Sequence, residues 1–219
     1  MDIILRDDYA KLLKYNLEEL KIPYDIIIEN AAIKILKHID LSIRETFAII
    51  SGITENGAIG LACARLLKSE KKYVEVYIVD NKDQATEQFK KQLELVKNLE
   101  IKISYLETLE ELQNLSSDLN RVNTIIDAIS GREFEANFKG TTEYIIDCIN
   151  KSRIYAISID LPTGMDYDTG KTHFLRVDSD LVVTFHKIKK GLIDNSRFDV
   201  VVEKIGLFER GRNVRHKTY

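Results

Sequence analysis

Apolar positions along this chain follow two alternating patterns, one typical of helices and one typical of short buried strands. Two helical stripes come first, over residues 7–20 and, beyond a break at Pro23, over residues 24–38. Farther along, short apolar runs alternate with longer amphipathic stretches. The short runs predict strands over residues 47–50, 73–79, 101–105, 124–129, 154–159, 181–185 and 198–205. The stretches between them predict helices over residues 57–67, 83–99, 106–119 and 141–150.

This alternation predicts an α/β fold. Strands separated by helices form parallel βαβ units, and several such units build a doubly wound sheet with helices on both faces. A chain of 219 residues suits a single domain over residues 1–219, and its two prolines leave little room for linkers. We expect the basic segment 210–219 to be a flexible tail.

Composition excludes several classes of protein. The net charge of -3 argues against a dedicated nucleic-acid surface, which needs a basic excess. No stretch approaches the roughly 20 apolar residues of a membrane span, and the N-terminus lacks the features of a signal peptide. We therefore expect a cytoplasmic protein that makes no membrane contact. Cys63 and Cys148 lie in apolar helical patterns and are expected to be reduced and buried.

Two carboxylates stand at the ends of predicted strands. The fifth predicted strand runs into Asp160 and stops at Pro162 and Gly164, which cannot continue a ladder. The fourth predicted strand contains Asp127 close to its end, and Gly131 follows shortly. Open α/β sheets bind ligands at the carboxyl ends of their strands, so the pair indicates a site. The plainer explanation is that each aspartate only caps a loop or a helix start.

The loop after the first predicted strand, residues 52–60, is rich in glycine and leads into a helix. Its backbone amides can therefore meet an anion at the helix N-terminus. A phosphate-binding P-loop has a lysine and a hydroxyl after its second conserved glycine. Gly52 and Gly57 have the P-loop spacing, but Ala58 and Ile59 occupy those two positions. This excludes a P-loop.

A dinucleotide-binding fingerprint is the second candidate for this loop. Gly57 and Gly60 fit the second half of the pattern, and Asp80 lies at the distance expected of a ribose contact. Glu55, however, stands where the first glycine of the fingerprint belongs. Its carboxylate would repel a pyrophosphate and obstruct its approach, which argues against a standard dehydrogenase site.

A third interpretation comes from a set of motifs in a fixed order. The matching positions are Glu29, Asn30 and Ala31; Gly52, Asn56, Gly57, Gly60, Leu61, Ala64, Arg65 and Leu67; Asp127, Ala128 and Gly131; Asp160, Pro162, Thr163 and Gly164; Asp168, Thr169 and Gly170; and Asp180, Thr184, Phe185, Lys189, Gly191 and Leu192. With these motifs the chain resembles the NAD(P)HX epimerase family, also called the YjeF N-terminal domain family, over nearly its whole length.

The resemblance implies a Rossmann-like three-layer α/β/α sandwich with a mostly parallel sheet, two N-terminal helices and a homodimeric assembly. It implies a reaction that interconverts the R and S forms of hydrated NADH or NADPH, called NADHX and NADPHX. A separate NAD(P)HX dehydratase would then repair the S form. It also implies a potassium ion held by the side chains of Asn56, Asp127 and Thr163, an oxygen set that suits a hard cation.

The same resemblance implies the residues that contact the substrate. Epimerisation needs a proton donor and acceptor close to the hydrated carbon, and Asp160 is the expected acid and base. The expected substrate-binding residues are Glu55, Asn56, Gly57, Gly131, Arg132, Glu133, Phe134 and Asp160. The backbone after Gly131 is expected to line the phosphates.

The chain departs from the family in the glycine loop. Glu55, Ala58 and Ile59 replace an asparagine, a glycine and an aspartate of the family motif. Ile59 cannot accept a hydrogen bond, and Glu55 adds an acid beside the expected phosphates. An alternative function is therefore a degenerate, inactive member that serves as a nucleotide-binding or protein-interaction module. Lys189 could neutralise a phosphate, although we expect a lone lysine to be solvated.

Overall fold

The computed structural model describes residues 2–79, 84–131, 140–172, 174–193 and 196–211. Its strands are β1 (Ile3–Ile4), β2 (Thr46–Ser51), β3 (Tyr73–Ile78), β4 (Lys102–Tyr105), β5 (Thr124–Ala128), β6 (Tyr155–Ile159), β7 (Leu181–Phe185), β8 (Ile188–Lys189) and β9 (Asp199–Glu203). Its α-helices are α1 (Arg6–Lys14), α2 (Tyr24–Leu36), α3 (Glu55–Ser69), α4 (Glu87–Asn98), α5 (Leu109–Leu119) and α6 (Gly140–Ser152).

The central sheet is parallel throughout. Within the described residues it contains seven strands in the order β4-β3-β2-β5-β6-β7-β9. One apolar cluster packs α1, α2, α3 and α4 on one face, and a second cluster packs α5 and α6 on the other. The predicted three-layer α/β/α sandwich is confirmed. The central strands are buried on both faces, which explains why the sequence shows them as continuous apolar runs.

The strand order places a crevice beside β2. The chain adds β3 and β4 on one side of β2, and then returns to add β5 on the other side. At this switch point the loops that follow β2 and β5 run in opposite directions, which leaves a gap at the carboxyl ends of the two strands. The glycine loop follows β2, and Asp127 lies near the end of β5.

Two helices begin later than the apolar pattern indicates, because threonines cap them. The Oγ1 atom of Thr86 accepts a hydrogen bond from the backbone N–H of Phe89 at 3.3 Å, so α4 begins at Glu87 instead of residue 83. Thr108 and Glu111 form a capping box, which moves the start of α5 from residue 106 to Leu109.

The N-terminal region also differs from the prediction. The first helix is α-helical only to Lys14 and continues as a π-helical turn over Tyr15–Glu19. Before it, β1 pairs in parallel with β8, with Ile4 opposite Lys189. Two-residue strands carry no detectable periodicity, so this small sheet is not predictable from the apolar pattern. None of the described helices has the length and apolar character needed to cross a membrane.

Part of the motif set serves helix packing. The Glu29 carboxylate of α2 pairs with the Arg65 guanidinium of α3. The side-chain amide of Asn30 donates to the carbonyl of Ile205 at 3.2 Å. Ala31 and Ala64 are fully buried, which lets the two helices approach closely. These positions fix α2 against α3 and thereby support the loop that precedes α3.

Candidate active site

Three loops meet at the carboxyl end of the sheet, after β2, β5 and β6. The backbone N–H of Gly52 donates to the carbonyl of Ala128 at 3.0 Å, which joins the first loop to the second. A Cβ atom on Gly52 would lie 2.1 Å from the carbonyl oxygen of Ile129, so only glycine allows this close approach. The contact places the N-terminus of α3 beside the loop that follows β5.

Asp127 is fully buried beneath these loops. Its Oδ1 accepts hydrogen bonds from the Thr163 hydroxyl at 2.6 Å and from the Ile129 N–H at 3.3 Å. Its Oδ2 accepts from the Ser158 hydroxyl at 2.7 Å and from the Thr163 N–H at 2.9 Å. Burial raises the pKa of Asp127, and the hydrogen bonds from Thr163, Ser158 and Ile129 oppose that rise. Asp127 therefore ties the loop after β6 to β5.

Thr163 extends this connection towards the surface. Its hydroxyl also accepts a hydrogen bond from the backbone N–H of Ser130 at 3.1 Å. Gly164 follows with φ of +95°, and a Cβ atom there would lie 2.2 Å from the carbonyl oxygen of Leu175. Glycine is therefore required at the turn that orients Thr163.

Asp160 ends β6 in a conformation that non-glycine residues rarely adopt. Its φ is +66°, in the left-handed region, where aspartate is tolerated better than most residues. Its Oδ1 accepts hydrogen bonds from the Thr184 hydroxyl at 2.9 Å and from the Phe185 N–H at 3.3 Å. The hydrogen bonds from Thr184 and Phe185 help to hold Asp160 in this strained conformation. Strained residues of this kind are frequent at functional sites.

Lys189 is fully buried. The prediction of a solvated side chain is therefore wrong. Its Nζ lies 2.8 Å from Oδ1 of Asp160, donates to the carbonyl of Phe185 at 2.7 Å, and lies 4.3 Å from the Tyr9 ring centroid. Burial lowers the pKa of Lys189, and the Asp160 carboxylate opposes that decrease. Position 189 in the motif was the only sequence signal that set it apart from Lys187 and Lys190.

A small cavity of about 50 Å³ opens in front of Asp160. Its lining residues come from α1, α2, α3 and the loops at the sheet end: Tyr9, Leu13, Tyr24, Ile27, Thr54, Glu55, Asn56, Ile59, Gly131, Asp160, Phe185 and Ile205. Ligand pockets usually measure roughly 300–1,000 Å³, so this cavity is smaller than a typical ligand pocket. The wall is largely apolar, and Ile59 forms part of it.

The pocket brings together Glu55, Asn56, Gly131 and Asp160 from the predicted substrate-binding set. Gly57 is not among the described residues that line it: a Cβ atom there would lie 1.9 Å from the carbonyl oxygen of Gly52. Asp127 and Thr163 are also not among the described lining residues. The predicted contacts Arg132, Glu133 and Phe134, together with Asp80, are outside the described residues.

Two polar atoms at the start of α3 lack a partner within the described structure. They are Oε2 of Glu55 and Nδ2 of Asn56, and both are buried. Buried polar atoms are normally hydrogen-bonded, so these two atoms indicate a place for water, an ion or a ligand. The Asn56 side chain also lies against Gly131, where an added Cβ atom would be 3.2 Å from Oδ1.

The predicted cation ligands offer side-chain oxygens only. Among the described residues, no group of three or more His, Cys, Asp or Glu side chains could hold a metal. Asn56 lies in α3, Asp127 in β5 and Thr163 in the loop after β6, and the Thr163 hydroxyl hydrogen-bonds to Asp127 and Ser130. An all-oxygen set with a single carboxylate fits a hard cation of low charge better than a transition metal.

Comparison with known families gives a match to the profile described as "YjeF-related protein N-terminus", over residues 24–191. Among curated proteins, the chain is similar to an "NAD(P)H-hydrate epimerase" from Anaerococcus prevotii, with 39% identity over 90% of this chain and 91% of the relative. A protein of the same name from Leuconostoc citreum is 26% identical over 94% of this chain and 91% of the relative.

Two further relatives bear on architecture. The crystal structure of yeast ynu0 superposes with a TM-score of 0.79 at 20% identity, and the match covers 92% of this chain and 88% of the yeast chain. A "Bifunctional NAD(P)H-hydrate repair enzyme" from Moorella thermoacetica is 26% identical over 88% of this chain but only 37% of its own length. The yeast structure supports the fold, and the bifunctional protein contains an additional large region.

Proposed function

The chain belongs to the YjeF-related N-terminal family, and on that premise we propose that it is an NAD(P)H-hydrate epimerase, an isomerase that interconverts the R and S forms of hydrated NADH or NADPH. The observation that carries the proposal is Asp160, held in a left-handed conformation at the wall of a pocket beside the switch point of the sheet. The curated relative with 39% identity bears that name and aligns over nearly its full length.

Asp160 would exchange the proton that epimerisation requires, by one of two routes. In the first, its acid form protonates the ring hydroxyl, the C–O bond breaks with its electron pair leaving in water, and the nitrogen lone pair forms an iminium ion. Water then adds to the other face and returns a proton to the carboxylate. The carboxylate also stabilises the cationic intermediate.

The second route opens the ring. The Asp160 carboxylate takes the hydroxyl proton, the C–N bond breaks with its electron pair passing to nitrogen, and nitrogen takes up a proton. The resulting aldehyde presents its other face, and the same steps run in reverse. Both routes need one carboxyl group that donates and accepts a proton beside the hydrated carbon, and the apolar pocket wall keeps bulk water away from it.

We also propose a potassium ion beside this pocket, held by the side-chain oxygens of Asn56, Asp127 and Thr163. When bound, it supplies positive charge close to the substrate phosphates. Asp127 contributes the negative charge of the set, and the Thr163 hydroxyl can rotate to offer a lone pair. The support is the chemistry of these donors and their connection through Ser130.

The partners follow the same reasoning. We propose a homodimer in the cytoplasm that supplies the S epimer to a separate dehydratase. The support for such a dehydratase is the bifunctional relative, in which this chain aligns with only 37% of the sequence. Light scattering on the purified protein tests the dimer.

The alternative of an inactive binding module rests on Glu55 and Ile59. In the structure Ile59 does not disrupt the pocket, because it joins an apolar wall with Leu13 and Phe185. Glu55 and Asn56 each present a buried polar atom that has no partner among the described residues. The pocket therefore keeps an intact wall beside the Asp160 carboxylate. This favours the epimerase over an inactive binding module.

Substitution of the two aspartates tests the proposal. We expect Asp160→Asn to lower turnover by about 10³-fold without changing the potassium requirement. We expect Asp127→Asn to raise the potassium concentration for half-maximal activity by about tenfold or more. Asp178→Asn, at an exposed surface position, is the matched control and should leave both quantities unchanged. Full activity of Asp160→Asn contradicts the assignment.

A further inference from the structure

Among the described residues, the side-chain partners of Asp160 all meet one oxygen of its carboxylate, Oδ1. Within the described residues, its side-chain partners are the Thr184 hydroxyl at 2.9 Å, the Phe185 N–H at 3.3 Å and Nζ of Lys189 at 2.8 Å, and all three end on Oδ1. None of them reaches Oδ2. A carboxylate oxygen that accepts three hydrogen bonds has little remaining capacity to take up a proton.

Lys189 contacts Asp160 and two residues of the pocket wall, Tyr9 and Phe185. It is fully buried and is not among the described residues that line the cavity. Its ammonium group is directed at Asp160, at the carbonyl of Phe185 and at the ring of Tyr9. The pairing of β8 with β1, with Ile4 opposite Lys189, fixes its backbone. We therefore expect Lys189 to influence a bound ligand chiefly through Asp160, the charged group that it pairs with at 2.8 Å.

We propose, on the basis of the epimerase function, that Lys189 is a positioning residue that holds Oδ1 and leaves Oδ2 as the one oxygen that exchanges the proton. During the reaction Oδ2 forms and breaks the O–H bond, with the proton passing to and from the substrate hydroxyl or the departing water. Oδ1 keeps its three hydrogen bonds throughout. A carboxylate held in one orientation keeps its reacting oxygen in place beside the hydrated carbon, which favours fast proton transfer.

A double-mutant cycle on kcat and KM tests this inference, with Asp160→Asn, Lys189→Met and the double variant assayed on NADHX. We expect Lys189→Met to lower kcat by about 10²-fold with KM changed by less than about threefold. In the Asp160→Asn background, Lys189→Met should produce no further loss beyond about threefold, because Lys189 acts chiefly through that carboxylate. Lys190→Met, at the exposed neighbouring position, should match the wild type.

A second variant keeps the test decisive if Lys189→Met fails to fold. Thr184→Val removes one donor to Oδ1 and keeps the shape of the buried side chain. We expect it to lower kcat by about tenfold at unchanged KM. Losses that multiply in the double variant, or a raised KM at unchanged kcat, overturn the role of Lys189 while leaving an active epimerase. A folded wild type that does not accelerate epimerisation overturns the proposed function itself.

Discussion

Asp127→Asn tests whether the carboxylate under the site also holds the fold together. The substitution keeps the shape of the side chain and replaces one acceptor oxygen with an NH₂ group. The two hydroxyl donors, from Ser158 and Thr163, can rotate to accept a hydrogen bond instead. The backbone N–H groups of Ile129 and Thr163 cannot, and they meet different oxygens of the carboxylate.

Either orientation of the new amide therefore turns an NH₂ group towards one backbone N–H. The hydrogen bond from the Ile129 N–H, at 3.3 Å, is longer than the one from the Thr163 N–H, at 2.9 Å. We therefore expect the new amide to turn its NH₂ group towards Ile129, so that the hydrogen bond from Ile129 is lost. An unsatisfied buried donor costs about 1–3 kcal/mol, and the remaining bonds lose their charge assistance. Because burial raises the pKa of Asp127, removing its charge recovers part of this loss. We expect a net decrease of about 2 kcal/mol in the free energy of unfolding.

Urea unfolding followed by circular dichroism measures this difference, provided that the m-value stays constant. The control is Asp178→Asn, which changes an exposed carboxylate and should stay within about 0.5 kcal/mol of the wild type. A loss below about 0.5 kcal/mol for Asp127→Asn would refute the reasoning, because it would mean that the four hydrogen bonds contribute little.

Other predictions concern a buried carboxylate and two glycines. The partners of Glu75 are Tyr73, Tyr77, Lys102 and Arg121. Burial alone would raise the pKa of Glu75, but the hydrogen bonds from these groups lower it from 4.5 to about 2. The stabilisation is therefore present above pH 4.5 and is lost as the pH falls towards 2. We expect Glu75→Gln to lose about 2 kcal/mol at neutral pH, and urea unfolding at several pH values should show the deficit vanishing in acid. Gly57→Ala would place a Cβ atom 1.9 Å from the carbonyl oxygen of Gly52, and thermal melting should show severe destabilisation. Gly140→Ala, whose Cβ atom would meet nothing within 4 Å, should be neutral or slightly stabilising by the same measurement.

The sequence predicted the sheet because its central strands are buried on both faces. Such strands appear as short apolar runs without polar alternation, as at residues 47–50 within Thr46–Ser51 and residues 181–183 within Leu181–Phe185. The paired strands of Ile3–Ile4 and Ile188–Lys189 were not predictable, since two residues show no period. Helix starts at Glu87 and Leu109 depended on threonine caps that an apolar pattern does not register.

The candidate site was predictable only in part. Asp127 and Asp160 stand out because each follows an apolar run and precedes chain breakers. Lys189 does not stand out, because burial of a lysine depends on a carboxylate that lies 29 positions away and is brought close by folding. The position of Ile59 in the pocket wall was not predictable for the same reason. Ile59 replaces a polar family residue, and folding brings apolar residues of α1 and β7 into the same wall.

The most direct test of the proposed function is the rate of epimerisation by the unmodified protein. R-NADHX would be incubated with an S-specific dehydratase, with and without the protein, in potassium and in potassium-free buffer. The account predicts that the protein accelerates conversion of the R form well beyond the uncatalysed rate, and more strongly when potassium is present. A folded protein that leaves the uncatalysed rate unchanged in both buffers would contradict it.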